Sequence, residues 1–115
     1  IHMPHVDATE GLVGKECLSL MKAEAFIINT SRPKLIDELA LTDALKSGRI
    51  AGAGLDVFDI EPLPKDHPLR GLDNVVLTGH TGYVIAELYN KVYGQAVEDI
   101  IGWMNKSPMR LLNGE

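Results

Sequence analysis

The chain has 115 residues, 45% apolar and 23% charged, the make-up of one soluble globular domain with a core of its own and little room for a second. Eleven Lys and Arg against sixteen Asp and Glu leave a net charge of -5, the wrong sign for gripping a nucleic-acid backbone. No apolar run approaches the ~20 residues of a bilayer span, and the single cysteine, Cys17, excludes an internal disulfide framework and points to a reducing, cytoplasmic setting.

The first residues, Ile1-His2-Met3-Pro4, read as the end of a strand, with no basic and apolar leader ahead of them. Residues 14–21 carry Cys17, Leu18, Leu20 and Met21 at three-four spacing, enough for a helix of about two turns. Ala25-Phe26-Ile27-Ile28-Asn29 is a short buried strand, stopped by the polar Thr30-Ser31-Arg32-Pro33. Asp37 suits an N-cap for a helix whose Leu41, Ala44 and Leu45 share a face, and Gly48 stands where a left-handed residue ends it.

Residues 50–58 run almost free of charge and read as a second strand, with Gly52, Ala53 and Gly54 inviting close approach of other backbone and Asp56 near its end. Pro62, Pro64 and Pro68 make residues 61–72 a loop, on which His67 is expected to be exposed. Val75-Val76-Leu77-Thr78 is a third strand. From Val84 to Met104 the apolar residues recur in a stripe that predicts one long amphipathic helix, with 105–115 as a tail. Tyr83, Tyr89, Tyr93 and Trp103 read as packing surface on it. Crossovers too long for hairpins mean parallel strands, hence an α/β fold.

In an open parallel sheet, ligands collect beyond the carboxyl ends of the strands. Arg32 follows the first strand, Asp56 ends the second with Glu61 just beyond, and His80 follows the third, so residues far apart in sequence should meet on one rim. Arg32 offers a planar fork that matches a carboxylate and polarises a carbonyl. His80 can give and take a proton near neutral pH, and Glu61 can orient it. A carboxylate ending an apolar strand must find donors, which singles out Asp56. With no nucleophile among them, this set suits hydride transfer coupled to proton transfer better than acyl transfer. His2, His5, His67, His80 and Cys17 lack metal-ligand spacing, and no metal is expected. Nothing matches G-x-G-x-x-G or a P-loop.

Taken in order, Asn29-Thr30-Ser31-Arg32, Ala51-Gly52-Ala53-Gly54-Leu55-Asp56-Val57-Phe58, Glu61-Pro62-Leu63-Pro64, His67-Pro68-Leu69 and Asn74-Val75-Val76-Leu77-Thr78 leading to His80 closely resemble the D-isomer-specific 2-hydroxyacid dehydrogenases. The resemblance implies the C-terminal half of a Rossmann-type dinucleotide-binding domain over residues 1–104, without the glycine-rich loop and most of the substrate domain. It implies NAD, or NADP, as cofactor and a small 2-keto or 2-hydroxy acid as substrate. It makes Arg32 the carboxylate-binding and carbonyl-polarising group, His80 the acid-base and Glu61 its partner. Met3, Pro4, Thr30, Ser31, Asp56, His80 and Gly82 would line the cofactor, Asp56 at the nicotinamide carboxamide. The full-length parent would be a homodimer.

Two departures bear on the chemistry. The family usually has Arg-Gly where this chain has Arg32-Pro33, and Pro-His where it has Gly79-His80. Pro33 limits the backbone of Arg32, and Gly79 loosens the turn that aims His80. They admit an alternative, a catalytically lapsed dinucleotide-binding or regulatory, dimerising module of the same fold. These residues alone are expected to bind NAD weakly or not at all, to turn nothing over, and to self-associate through an unpaired sheet edge near Pro4.

Overall fold

The computed structural model describes residues 1–113. The chain forms two compact units, Ile1–Gly82 and Tyr83–Glu115, which are described in turn.

The first unit is built on three parallel strands, β1 (Phe26–Asn29), β2 (Gly52–Leu55) and β3 (Val75–Leu77), lying in the order β1-β2-β3. Asn29 pairs with Leu55 and Leu55 with Leu77, so all three strands end at the same level. The ladder continues one residue past them, where Asp56 N–H reaches Asn29 O and Thr78 N–H reaches Leu55 O, each at 3.0 Å. Whatever follows these strands therefore leaves from one edge of the sheet.

Two helices cover the strands, α1 (Lys15–Leu20) ahead of β1 and α2 (Glu38–Lys46) connecting β1 to β2. Asp37 caps α2 by accepting the Ala40 N–H at 3.0 Å, and Gly48 takes the left-handed conformation just past it, as the sequence predicts. Leu18 from α1 and Leu41 and Leu45 from α2 pack with Ile27, Ala53 and Leu55 of the sheet, forming the core. Because strand side chains alternate, the other face carries Phe26, Ile28 and Val76, and these remain exposed. Gly52 and Gly54 lie between them, and the Phe26 ring and the Ile28 side chain lean into the space that a Cβ at either glycine would need. A parallel sheet is ordinarily covered on both faces, and here one face is apolar and bare.

The strand expected over residues 50–58 is shorter. Ile50, Val57 and Phe58 are buried, yet only Gly52–Leu55 pairs on the ladder, because β1 offers partners for four residues and β3 for three. No strand forms at residues 1–4 either. The Ile1 amine meets Ile28 O at 2.6 Å, a single contact beside β1 rather than a ladder. The Pro-rich passage is a loop with a 3-10 turn at Pro68–Gly71, and its Leu69 is fully buried in the core.

The second unit is α3 (Ala86–Met104) and the residues after it. Its apolar stripe remains exposed at Val92, Tyr93, Val97, Ile100 and Trp103, and the rings of Tyr89 and Tyr93 lie 5.5 Å apart. Arg110 turns back to Asp99 and Glu98, at 2.9 and 2.8 Å. Among the described residues no helix is long and apolar enough to cross a membrane.

Candidate active site

The three strand exits present their first polar residues along one edge. After β1, Asn29 is 2% exposed and acts as a brace: its Nδ2 donates to Arg32 O at 2.8 Å, and its Oδ1 accepts the Ser31 N–H at 3.1 Å. That brace shapes the turn carrying Thr30, Ser31 and Arg32. Ser31 Oγ donates to Met3 O at 2.6 Å, which joins the Met3-Pro4 segment to the same turn. Arg32 is exposed, with Nη1 donating to Ser31 O at 2.7 Å. It shares the rim with His80 by register, two strands or roughly 10 Å across the sheet, and the structure gives no direct bond between them.

Pro33 does not disturb this turn. It occupies the first position of a 3-10 turn, Pro33–Leu35, where an amide N–H would find no partner inside the turn. Arg32 ahead of it has φ -140 and ψ 135, the extended region that a residue before proline prefers.

The exit of β2 holds the buried carboxylate. Asp56 is 4% exposed, and it accepts from Thr78 Oγ1 at 2.5 Å and Thr81 N–H at 3.0 Å on Oδ1, and from Gly82 N–H at 2.8 Å on Oδ2. The Thr78 hydroxyl above all, then these two amides and the charge of His80, hold its carboxyl below the ordinary 3.8, against the desolvation that pushes the other way. The donors required by a carboxylate at the end of an apolar strand thus come from the exit of β3.

That exit aims His80. Its Nδ1 lies 2.8 Å from Glu61 Oε2, while Glu61 Oε1 accepts the Phe58 N–H at 2.9 Å. The His80 bond, then the Phe58 amide, keep the Glu61 carboxyl below its ordinary 4.5. An ionised carboxylate only accepts, so His80 donates from Nδ1. Both side chains are open to solvent, with 42% and 37% of their surface accessible. His80 has φ 56, a left-handed conformation uncommon for a residue with a side chain. Gly79 does not take that role: among the described glycines only Gly11 and Gly48 have positive φ.

The structure thus brings Glu61, His80, Asp56 and Gly82 together and leaves Arg32, Ser31 and Met3 in a second group on the same rim. A cavity of about 460 Å³ borders Glu61, between Phe58, Leu63, Arg70 and Leu77. His67 corrects the expectation of an exposed loop residue. It is half-buried, accepting the Leu69 N–H on Nδ1 and donating from Nε2 to Glu38 at 3.0 Å. Asn29, Thr78 and Thr81 were not picked out by sequence reasoning. Only Asn29 left a local signal, an Asn two residues before a backbone donor in a turn.

Comparison with known proteins follows the same lines. A family model described as D-isomer specific 2-hydroxyacid dehydrogenase, NAD binding domain, matches residues 1–82. A glyoxylate reductase from Korarchaeum cryptofilum (strain OPF8) is 42% identical over 116 aligned positions, covering 100% of this chain and 35% of that protein. Among solved structures, the TT0316 protein from Thermus thermophilus superposes with a TM-score of 0.88 at 38% identity, covering 95% of this chain and 35% of that one. A D-lactate dehydrogenase from Lactobacillus jensenii, solved with NAD+, gives 0.86 at 28% identity, covering 99% and 38%. The chain spans about a third of the length of the first of these curated relatives.

Proposed function

This chain belongs to the D-isomer specific 2-hydroxyacid dehydrogenase family through its NAD-binding domain, and from that membership we propose that it forms part of an NAD(P)-dependent enzyme that reversibly reduces a 2-keto acid to a D-2-hydroxy acid. The observation that carries the reading is the His80–Glu61 pair, 2.8 Å apart and open to solvent at the carboxyl rim of a parallel sheet.

His80 holds the proton that moves. With Nδ1–H committed to Glu61, Nε2 is the nitrogen that gives a proton to the substrate oxygen in reduction and takes it back in oxidation. The Glu61 carboxylate fixes the ring and stabilises the imidazolium. Arg32 binds the substrate carboxylate with its fork and draws charge toward the carbonyl oxygen.

Residues on the rim fit the nicotinamide end of the cofactor. Asp56 Oδ2 accepts a single hydrogen bond from the described residues, which leaves acceptor capacity suited to a carboxamide N–H. Thr30 and Ser31 bring hydroxyls to the same edge, and Met3 is bonded to Ser31. When bound, the nicotinamide supplies or receives the hydride. The sequence holds no glycine-rich pyrophosphate loop, so within a protein of the relatives' length this chain would contribute the catalytic end of the site. The lone cysteine favours a cytoplasmic setting.

The lapsed-module alternative gains nothing from Pro33 and Gly79, since Pro33 starts a turn that leaves Arg32 extended and Gly79 leaves His80 bonded to Glu61. The test is His80→Ala in a protein of the relatives' length that carries this chain, assayed with NADH and NADPH against glyoxylate, hydroxypyruvate and pyruvate. Loss of an acid-base group lowers kcat about 10²- to 10⁴-fold. Turnover equal to the parent would refute the assignment.

A further inference from the structure

We propose that Asp56 and Thr78 are positioning residues, which together clamp the loop bearing His80 and so hold its imidazole in line with Glu61. This deepens the function proposed above and rests on its reading of His80 as the group that carries the proton.

The case begins with where three hydrogen bonds end. Thr78 Oγ1, Thr81 N–H and Gly82 N–H bracket His80 on both sides, and all three converge on the one carboxylate at the exit of β2. Past the Thr78 N–H bond to Leu55 O, the strand ladder no longer controls this segment. His80 nonetheless takes a φ of 56, which a residue with a Cβ enters only when its surroundings hold it there. The clamp supplies that hold.

Glu61 is referenced to the same turn. Its Oε1 is fixed by the Phe58 N–H, two residues after Asp56, while its Oε2 meets His80. Both halves of the proton-transfer pair therefore hang from residues 56–58, the His80 side through the Asp56 carboxylate and the Glu61 side through the Phe58 amide. The arrangement also explains Gly82: a Cβ there would stand 3.0 Å from Asp56 Oδ2, against an oxygen already held by the residue's own N–H.

The charge state matters as well as the shape. Asp56 accepts on both oxygens, so an amide in its place would turn an NH2 group toward at least one N–H of the loop. Removing the Thr78 hydroxyl withdraws the donor that does most to keep Asp56 ionised. Serine in its place would retain that donor, and valine would retain only the shape.

Long-range proton–nitrogen NMR spectra of the chain's four histidines test this directly, with Glu61→Gln identifying the His80 signals. In the parent, His80 Nδ1 keeps its proton on Glu61. In Thr78→Val and Asp56→Asn the exchange of that proton with water should quicken about tenfold or more, the factor that accompanies loss of a charge-assisted hydrogen bond. Thr78→Ser should look like the parent. His67, bonded to Glu38 elsewhere in the same unit, is the internal control for folding and should not change. Should Asp56→Asn disturb His67, the Thr78→Val and Thr78→Ser pair decides. Parent-like His80 signals in Thr78→Val, or parallel changes of His67 and His80 in both Thr78 variants, would overturn the proposal. Failure of the enzymatic reading would register separately, as undiminished turnover in His80→Ala.

Discussion

Replacing Gly52 by alanine should cost more stability than a methyl added at Gly79 or Gly82 on the rim. A Cβ at residue 52 would lie 2.6 Å from Asn74 O and 2.9 Å from the Phe26 ring, both inside contact distance. Asn74 O is the acceptor of the Ala53 N–H at 3.0 Å, the first bond joining β2 to β3, and the Asn74 side chain is tied to Leu45 O. The backbone must therefore give where it is fastened on both sides. Overpacking of this kind costs roughly 1–3 kcal/mol, and weakening one ladder bond adds about 1 kcal/mol. The lower backbone entropy of unfolded alanine returns about 0.5–1 kcal/mol. The net loss is about 1–3.5 kcal/mol, which for a chain of this size lowers Tm by about 4–14 °C. Gly79→Ala is the matched control. Its Cβ would meet nothing within 4 Å and it needs no left-handed conformation, so it should stabilise the fold slightly. Thermal unfolding followed by circular dichroism measures both. A Gly52→Ala variant melting within a degree or so of the parent, or a Gly79→Ala variant falling as far as Gly52→Ala, would refute the reasoning.

Acid should destabilise the first unit along a course set by two carboxyls. Asp56 and Glu61 titrate below 3.8 and 4.5 when folded, so the unfolded chain binds more protons as pH falls through that range. Their contribution is complete above about pH 4.5 and is lost as pH drops through the folded values; urea unfolding at a series of pH values should show Asp56→Asn with the shallower acid decline, and a steeper one would contradict it. Arg32→Lys, in a protein of the relatives' length, should raise KM for the keto acid about tenfold or more, because an ammonium lacks the fork that meets a carboxylate with two parallel bonds. Unchanged steady-state KM and kcat would remove Arg32 from the substrate site.

Those parts of the fold whose cause is local could be read from the sequence. The Asp37 cap, the left-handed Gly48 and the apolar stripe of α3 each depend on residues a few positions apart, and all three stand in the structure. The strand over residues 50–58 shows where that reading stops. An uninterrupted apolar run reports burial, and Ile50, Val57 and Phe58 are buried, but a strand also needs a partner at each position, and the four residues of β1 and three of β3 provide none beyond Gly52–Leu55. His67 was misjudged for a related reason. Its neighbours Asp66 and Pro68 describe a surface loop, while the residue that takes it out of solvent, Glu38, lies 29 positions away.

The same distinction runs through the candidate site. Arg32, Glu61 and His80 were legible because chain order and the parallel topology together assign each to a strand exit, and the common register of Asn29, Leu55 and Leu77 makes those exits level. Thr78 was not legible, since its importance comes from a carboxylate 22 positions away, and a threonine ending a β-branched run is accounted for by the strand alone. The residues proposed to do chemistry carry unusual side chains and announce themselves. Those that aim them are ordinary donors and acceptors, visible only when the backbone brings them together. Asp56 stands between the two classes: a charge at the end of an apolar strand requires an explanation from the sequence, and the structure answers with three donors from the His80 loop. On the function proposed above, that answer adds to the contact Asp56 would make with a cofactor a second task, holding the geometry on which the proposed proton transfer depends.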